Sequence, residues 1–171
     1  GSRVASIASD GALQVWSAEP VQGPVYAQPL VFAWHVPADD PTCLAFAPDG
    51  ERVAVGTAGG VVHVVPLDGV GPVVSVFGGA AVQAVAWAVG PADLPPRLVS
   101  GDATGRVAAW QLDTGVGTPV AKFASPVTAL APEPGTLRVI AAAGDLAPRV
   151  VDVASGKQVA TLAGHPGAVI G

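Results

Sequence analysis

The sequence predicts an all-β protein, a β-propeller of four-stranded antiparallel blades, and three observations carry that prediction. Valine dominates the apolar residues and favours strands, while 22 Gly and 17 Pro imply many turns and few long helices. Four segments align without a gap: RVASIASDGALQVW, RVAVGTAGGVVHVV, RLVSGDATGRVAAW and RVIAAAGDLAPRVV. They begin at residues 3, 52, 97 and 138, with spacings of 49, 45 and 41 residues. A period of about 40–50 residues is that of propeller blades.

Each segment reads as a β-hairpin. The first arms cover residues 4–8, 53–57, 98–101 and 139–143, and the second arms 12–16, 61–65, 106–110 and 148–151. Between the arms stand Asp-Gly, Gly-Gly, Thr-Gly and Gly-Asp, which tolerate the positive backbone angles of tight turns. Apolar residues fall on both faces of the arms, so both faces are covered, as stacked blades cover them. An inner strand precedes three of the hairpins, over residues 43–50, 84–90 and 129–135. An outer strand follows all four, over 25–34, 72–79, 119–125 and 157–164. Four strands per period make a blade.

The blades run approximately over residues 1–38, 39–79, 80–124 and 125–164, and residues 165–171 begin a further inner strand. The first blade lacks its inner strand. The two ends are complementary, so the chain holds about four blades, three complete and one shared between the termini. Four is the low end of the usual range of roughly four to eight. The expectation is a fragment of a larger propeller, in keeping with an opening Gly1-Ser2 and no Met. Two copies joined in a ring of about eight blades, or a ring that closes alone, are the alternatives.

The stretch DDPTCLAFAPDGERVAVGTAGGVVHVV, with its inner strand, Pro-Asp-Gly turn and hairpin, and the Gly164-His165 pair in TLAGHPGAV resemble the WD40 repeat family. The resemblance extends over the whole chain and rests on the repeat more than on a motif. The Trp-Asp signature is not intact: Ser17 follows Trp16, Gln111 follows Trp110, and Val65 and Val151 stand in the Trp column, with Asp152 alone keeping the acidic partner. These are degenerate repeats, held by packing. Glycine doublets at Gly59-Gly60 and Gly78-Gly79 echo the kelch propellers, without their full pattern.

Half of the residues are hydrophobic and only 12% are charged, with a formal net charge of −5. An acidic chain with no Lys/Arg run lacks the footprint of a nucleic-acid binder. Residues 69–92 carry no charge and have the length of a membrane span, but Pro72, Gly78-Gly79 and Gln83 interrupt them as a loop between strands does, so no membrane partner is expected. The single cysteine, Cys43, cannot form an internal disulfide, which leans toward a reducing, intracellular compartment, cytoplasmic or cytoskeletal.

No constellation for catalysis, metal or cofactor stands out. The glycine-rich GTAGGV over residues 56–61 lies in a hairpin turn with no following Lys-Ser/Thr, no Gly-x-Ser-x-Gly elbow exists, and three dispersed histidines give no ligand pair. Cys43, Trp16, Trp87 and Trp110 align with core columns. His63 reads as an outer-strand position that tolerates polarity, His165 as a loop cap, and the arginines at 3, 52, 97 and 138 as rim residues with stems on apolar surface. The candidate partner-binding loops carry Asp10, Asp102, Thr104 and Asp145 in hairpin turns, and Trp34, His35, Asp39 and Asp40 together after an outer strand. Turn chemistry alone is the preferred reading of the turn aspartates, and Asp102→Ala is expected to leave folding nearly intact.

The resemblance implies a non-catalytic scaffold whose loop faces bind partner proteins or peptides within a larger complex, with self-association or pairing with further blades as a second mode. Two other functions stay open. One is a propeller with a small-molecule or catalytic site in its central channel, against which the apolar inner strands speak. The other is a set of purely structural blades in a larger assembly, ciliary, centriolar or cytoskeletal.

Overall fold

A computed structural model describes residues 3–19, 29–145, 147–164 and 167. They form strands and no helix: β1 (Arg3–Ile7), β2 (Ala12–Ser17), β3 (Leu30–His35), β4 (Pro41–Phe46), β5 (Arg52–Thr57), β6 (Val61–Pro66), β7 (Val74–Phe77), β8 (Val82–Ala88), β9 (Arg97–Asp102), β10 (Arg106–Gln111), β11 (Val116–Lys122), β12 (Val127–Pro132), β13 (Arg138–Ala143), β14 (Arg149–Asp152) and β15 (Lys157–Thr161). Consecutive strands pair antiparallel into four sheets, ordered β1-β2-β3, β4-β5-β6-β7, β8-β9-β10-β11 and β12-β13-β14-β15. The sheets have the strand arrangement expected of blades, and in the last three the hairpin forms the two central strands.

The hairpin turns close where the sequence puts small residues. At the third turn, the Gly105 N–H donates to Asp102 O at 3.0 Å. Gly105 has φ +87°, and a Cβ there would lie 2.5 Å from the backbone oxygens of Phe123 and Ser125. Only glycine fits that angle and that approach. The inner strands begin earlier than the sequence pattern predicts, at Pro41, Val82 and Val127, because pairing with the hairpin continues past an irregularity in each ladder.

The sheets stack face to face, first on second, second on third, third on fourth. The central strands of the middle sheets are therefore buried on both faces, as in β5 and β9, where only the first residue of each strand is partly open. Three apolar layers fill the junctions. Leu13, Val53, Val55 and Val65 occupy the first; Ala54, Val64, Trp87, Leu98 and Trp110 the second; Val99, Ala109, Phe123, Val139 and Val151 the third. The half-buried Cys43 packs on the second layer, and burial pushes its thiol pKa up.

The stack is open. Among the described residues no extensive packing joins the fourth sheet to the first. Among the described residues the first sheet has three strands, leaving β1 as a free edge. Residues 25–28 of the expected first outer strand, His165, and all of the expected strand over 165–171 except Gly167 lie outside the described residues. Trp16 corrects an expectation: aligned with the buried Trp110, it is half-buried and lines the outer face of the first sheet, against which no sheet of the described residues lies.

Cross-sheet side chains staple the stack at one end. Arg106 is the first residue of β10 and Arg149 the first of β14, two columns further along the repeat. Each reaches back to a backbone carbonyl of the preceding sheet, Arg106 to Gly78 O at 3.4 Å and Arg149 to Lys122 O at 3.2 Å. The Arg149 guanidinium also sits over the Phe123 ring, 4.3 Å from its centroid.

Candidate functional site

All eight candidate partner-binding residues lie at one end of the stack. This rim consists of the hairpin turns and the linkers that carry each outer strand into the next inner strand. Backbone hydrogen bonds pin the turns from both sides. Val36 N, Gly78 N and Phe123 N, each just past an outer strand, donate to the turn carbonyls of Gly11, Gly60 and Gly105 at 2.8–2.9 Å. In return, Ala58 N and Ala103 N donate to the linker carbonyls of Asp40 and Ala81 at 2.7 and 2.8 Å. The rim is thus a row of held loops on a rigid base.

Several of the candidate side chains are engaged in holding that rim. Asp102, 7% exposed, accepts three hydrogen bonds on one carboxylate oxygen, from Thr104 N (2.8 Å), Thr104 Oγ1 (2.6 Å) and Arg106 N (3.0 Å). Asp39, half-buried, accepts from Gly59 N at 3.0 and 3.1 Å and from Asp40 N at 2.8 Å, which ties the linker to the second turn. Burial alone raises its carboxyl pKa, but hydrogen bonds from Thr57 and the backbone of Asp40 and Gly59, with His63 nearby, outweigh burial and hold it below the usual carboxylate range. Asp145 pairs with Arg149 at 3.2 Å.

Apart from Thr104, the outward-facing remainder gathers at the first junction. Asp10 is exposed and accepts one bond from Ala12 N at 2.9 Å. His35 is exposed and rests against Gly11 of the same turn, and Asp40 is exposed on the adjoining linker. Thr104, also exposed, gives its hydroxyl to Asp102. Trp34 belongs to the junction and not to the surface patch: half-buried, it meets the His63 ring edge-on at 5.6 Å.

His63 is the polar group that the sequence placed least well. It is 9% exposed, not on a polar-tolerant outer position, because β6 is covered by the first sheet. Its Nδ1 lies 2.8 Å from Ser75 Oγ. Burial lowers its pKa from 6.5, and Asp39 opposes that only in part. The neutral ring is therefore the folded form, whereas the unfolded chain takes up a proton near pH 6.5. Stability is full above that pH and falls as the pH drops below it toward the folded pKa. We expect the thermal midpoint to decline between about pH 6.5 and 5, before the carboxylates titrate, and His63→Gln to flatten that decline. A midpoint flat over this window would place the charged ring inside the fold.

The structure adds a column that the sequence pattern concealed. Thr42, Gln83 and Thr128 are the extra residues at the three ladder irregularities, one per inner strand. A bulge releases its residue from the pleat, so polar side chains interrupt otherwise apolar strands. Thr42 Oγ1 donates to Val82 O of the next inner strand at 2.6 Å. Had the expected inner strands begun one residue earlier, the same alignment would have put the three in one polar column.

The opposite end of the stack carries grooves at the junctions. One, of about 530 Å³, is lined by Arg52, Arg97, Trp87, Trp110 and the Pro95-Pro96 pair. Arg52 is held by Asp49 at 2.7 Å and lies over the Trp87 ring, 5.6 Å from its centroid. Arg138 similarly approaches Glu133, at 3.7 Å. These arginines sit at strand entries, as the repeat places them. Among the described residues no three of His, Cys, Asp and Glu come together as a metal-holding group, and no helix is long and apolar enough to cross a membrane.

Blade-like antiparallel sheets stacked in an unclosed arc make this a propeller-like all-β protein. No protein-family model matches the chain, and no curated protein matches it. By contrast, 1133 chains of known structure do, so the architecture is a common one. One of these is the crystal structure of the computationally designed Ika8 protein, with a TM-score of 0.77 and 26% sequence identity. The similarity covers 100% of this chain and 49% of that one, so the chain spans about half the length of the designed protein.

Proposed function

We propose that the chain is a degenerate WD40-type propeller segment acting as a non-catalytic interaction scaffold, with the hairpin rim as its partner-binding face. The observation that carries this is the division of labour along the rim: Asp39, Asp102 and Asp145 fix the loops, while Asp10, His35 and Asp40 stand exposed at the first junction. Preorganised loops bind at little entropic cost. The described cations of that rim are turned to their own chain: Arg106 and Arg149 to backbone carbonyls, and Lys122 to Thr104 O. The face therefore suits protein or peptide segments bearing Lys or Arg. An intracellular, cytoplasmic or cytoskeletal setting goes with this reading and with the free Cys43.

A peptide array graded by charge tests it with the chain itself as probe. Basic peptides are expected to bind, with at least about tenfold weaker binding to the Asp10→Ala/Asp40→Ala double variant, since two charge pairs at roughly 0.7 kcal/mol each amount to that factor. Asp113→Ala, on the opposite rim, should bind unchanged. An array without binders contradicts the scaffold reading, and a loss confined to Asp113→Ala moves the face to the other end.

A further inference from the structure

Every junction in the stack is built from the same two strand pairs. The leading pair of one sheet faces the trailing pair of the next. In the second junction, Ala54 opposite Val64 meets Leu98 opposite Trp110, and in the third, Val99 opposite Ala109 meets Val139 opposite Val151. All eight residues are at most 9% exposed. The first junction follows suit, with Ala5 opposite Val15 on one side and Val53 opposite Val65 on the other.

Among the described residues, two pairs of the series have no sheet against them. At the start of the stack is the trailing pair of the first sheet, Val4 opposite Trp16, with Val4 55% exposed. These two, with Ser17 and Ala18, line a shallow apolar depression of about 490 Å³. At the end is the leading pair of the fourth sheet, Ile140 opposite Val150, both only half-buried.

The free face of the first sheet is equipped as a covered one. In the third sheet, Trp110 Nε1 donates to Ser100 Oγ at 2.8 Å, beneath the second sheet. Ser6 and Trp16 occupy the same two positions relative to Val4 as Ser100 and Trp110 occupy relative to Leu98. A tryptophan and its serine acceptor are the outfit of a blade that another blade covers, and a large exposed apolar face marks an interaction surface. What covers that column elsewhere in the chain is a leading pair, and the chain has one leading pair unused.

We propose that the Val4/Trp16 face of one copy docks on the Ile140/Val150 face of a second copy, and reciprocally, so that two arcs join head to tail into one closed ring. The occupant is a second copy because the surface that fits is present on this chain and cannot reach the first sheet of its own arc. Two interfaces of one kind, related by a twofold axis, close the assembly without leaving a sticky end. The length agrees: this arc covers 49% of the designed protein that it matches from end to end, so two arcs make up its length.

Light scattering on the 171-residue chain and two charge variants tests the proposal. The wild type is expected at twice the chain mass over a wide range of concentration. Val4→Glu and Val150→Lys are each expected at the single-chain mass, with the β-sheet circular dichroism of the wild type, since both side chains lie on a free face of the folded arc. Mixed in equal amounts, they are expected to regain the doubled mass, because one interface is then wild-type and the other pairs Glu with Lys. A wild type that stays single at every concentration overturns the proposal, as does one whose mass grows without limit, or one whose dimer survives both substitutions unmixed.

Discussion

Replacing Trp110 with Ala is expected to destabilise the fold by roughly 3–5 kcal/mol, the cost of removing a large aromatic from a well-packed site. Trp110 is 3% exposed, at the centre of the layer between the second and third sheets. Its ring fills the space over Gly117 of the neighbouring strand, where even a Cβ would come within 2.4 Å of it. Substitution leaves a cavity that β11 cannot fill and strands Ser100 Oγ without its donor. Urea denaturation at neutral pH measures the loss. Near-neutral stability would take Trp110 out of the core and with it the assignment of the third sheet. The mirror substitution, Gly117→Ala, pushes on the same ring from the other side and should destabilise in the same direction.

Asp102→Ala is expected to cost roughly 2–4 kcal/mol, because three hydrogen bonds to one buried carboxylate are lost together. Two of the donors, Thr104 N and Arg106 N, are backbone groups of the turn itself. This reverses the sequence expectation of a mild effect. Asp102→Asn keeps an acceptor and should recover part of the loss, which separates the turn network from a general effect of substitution. A change below about 0.5 kcal/mol, in the range of an ordinary surface site, would mean that the turn holds without its carboxylate.

The fold was legible because the repeat is gapless and each copy carries its own turn. Arg-Val/Leu at the entry, a small turn, and a large apolar residue at the exit fix strand, register and face in all four hairpins, and side-chain alternation leaves no freedom to slip by one residue. Asp102 was not legible as a structural residue because Asp in a turn looks the same whether it faces water or the backbone, and only burial separates the two. His63 was misplaced for a similar reason: its column holds Gln14, Ala108 and Arg149 in the other blades, so polarity appeared tolerated. In the second blade alone the position meets Trp34 and Ser75. Trp16 shows the reverse case. Its column is a core column, and its own exposure follows from its place at the end of the stack, which no local pattern encodes.

In the proposed ring the first and last faces of the arc are apart within one chain and meet between two. Bridging them chemically asks that question directly. In a Cys43→Ala background carrying Val4→Cys and Val150→Cys, a bis-maleimide of about 10 Å span, the spacing of packed sheets, is added and the product sized under denaturing conditions. Bridges between two chains are the result the account predicts. A bridge within a single chain would show a ring that closes alone, and would contradict it.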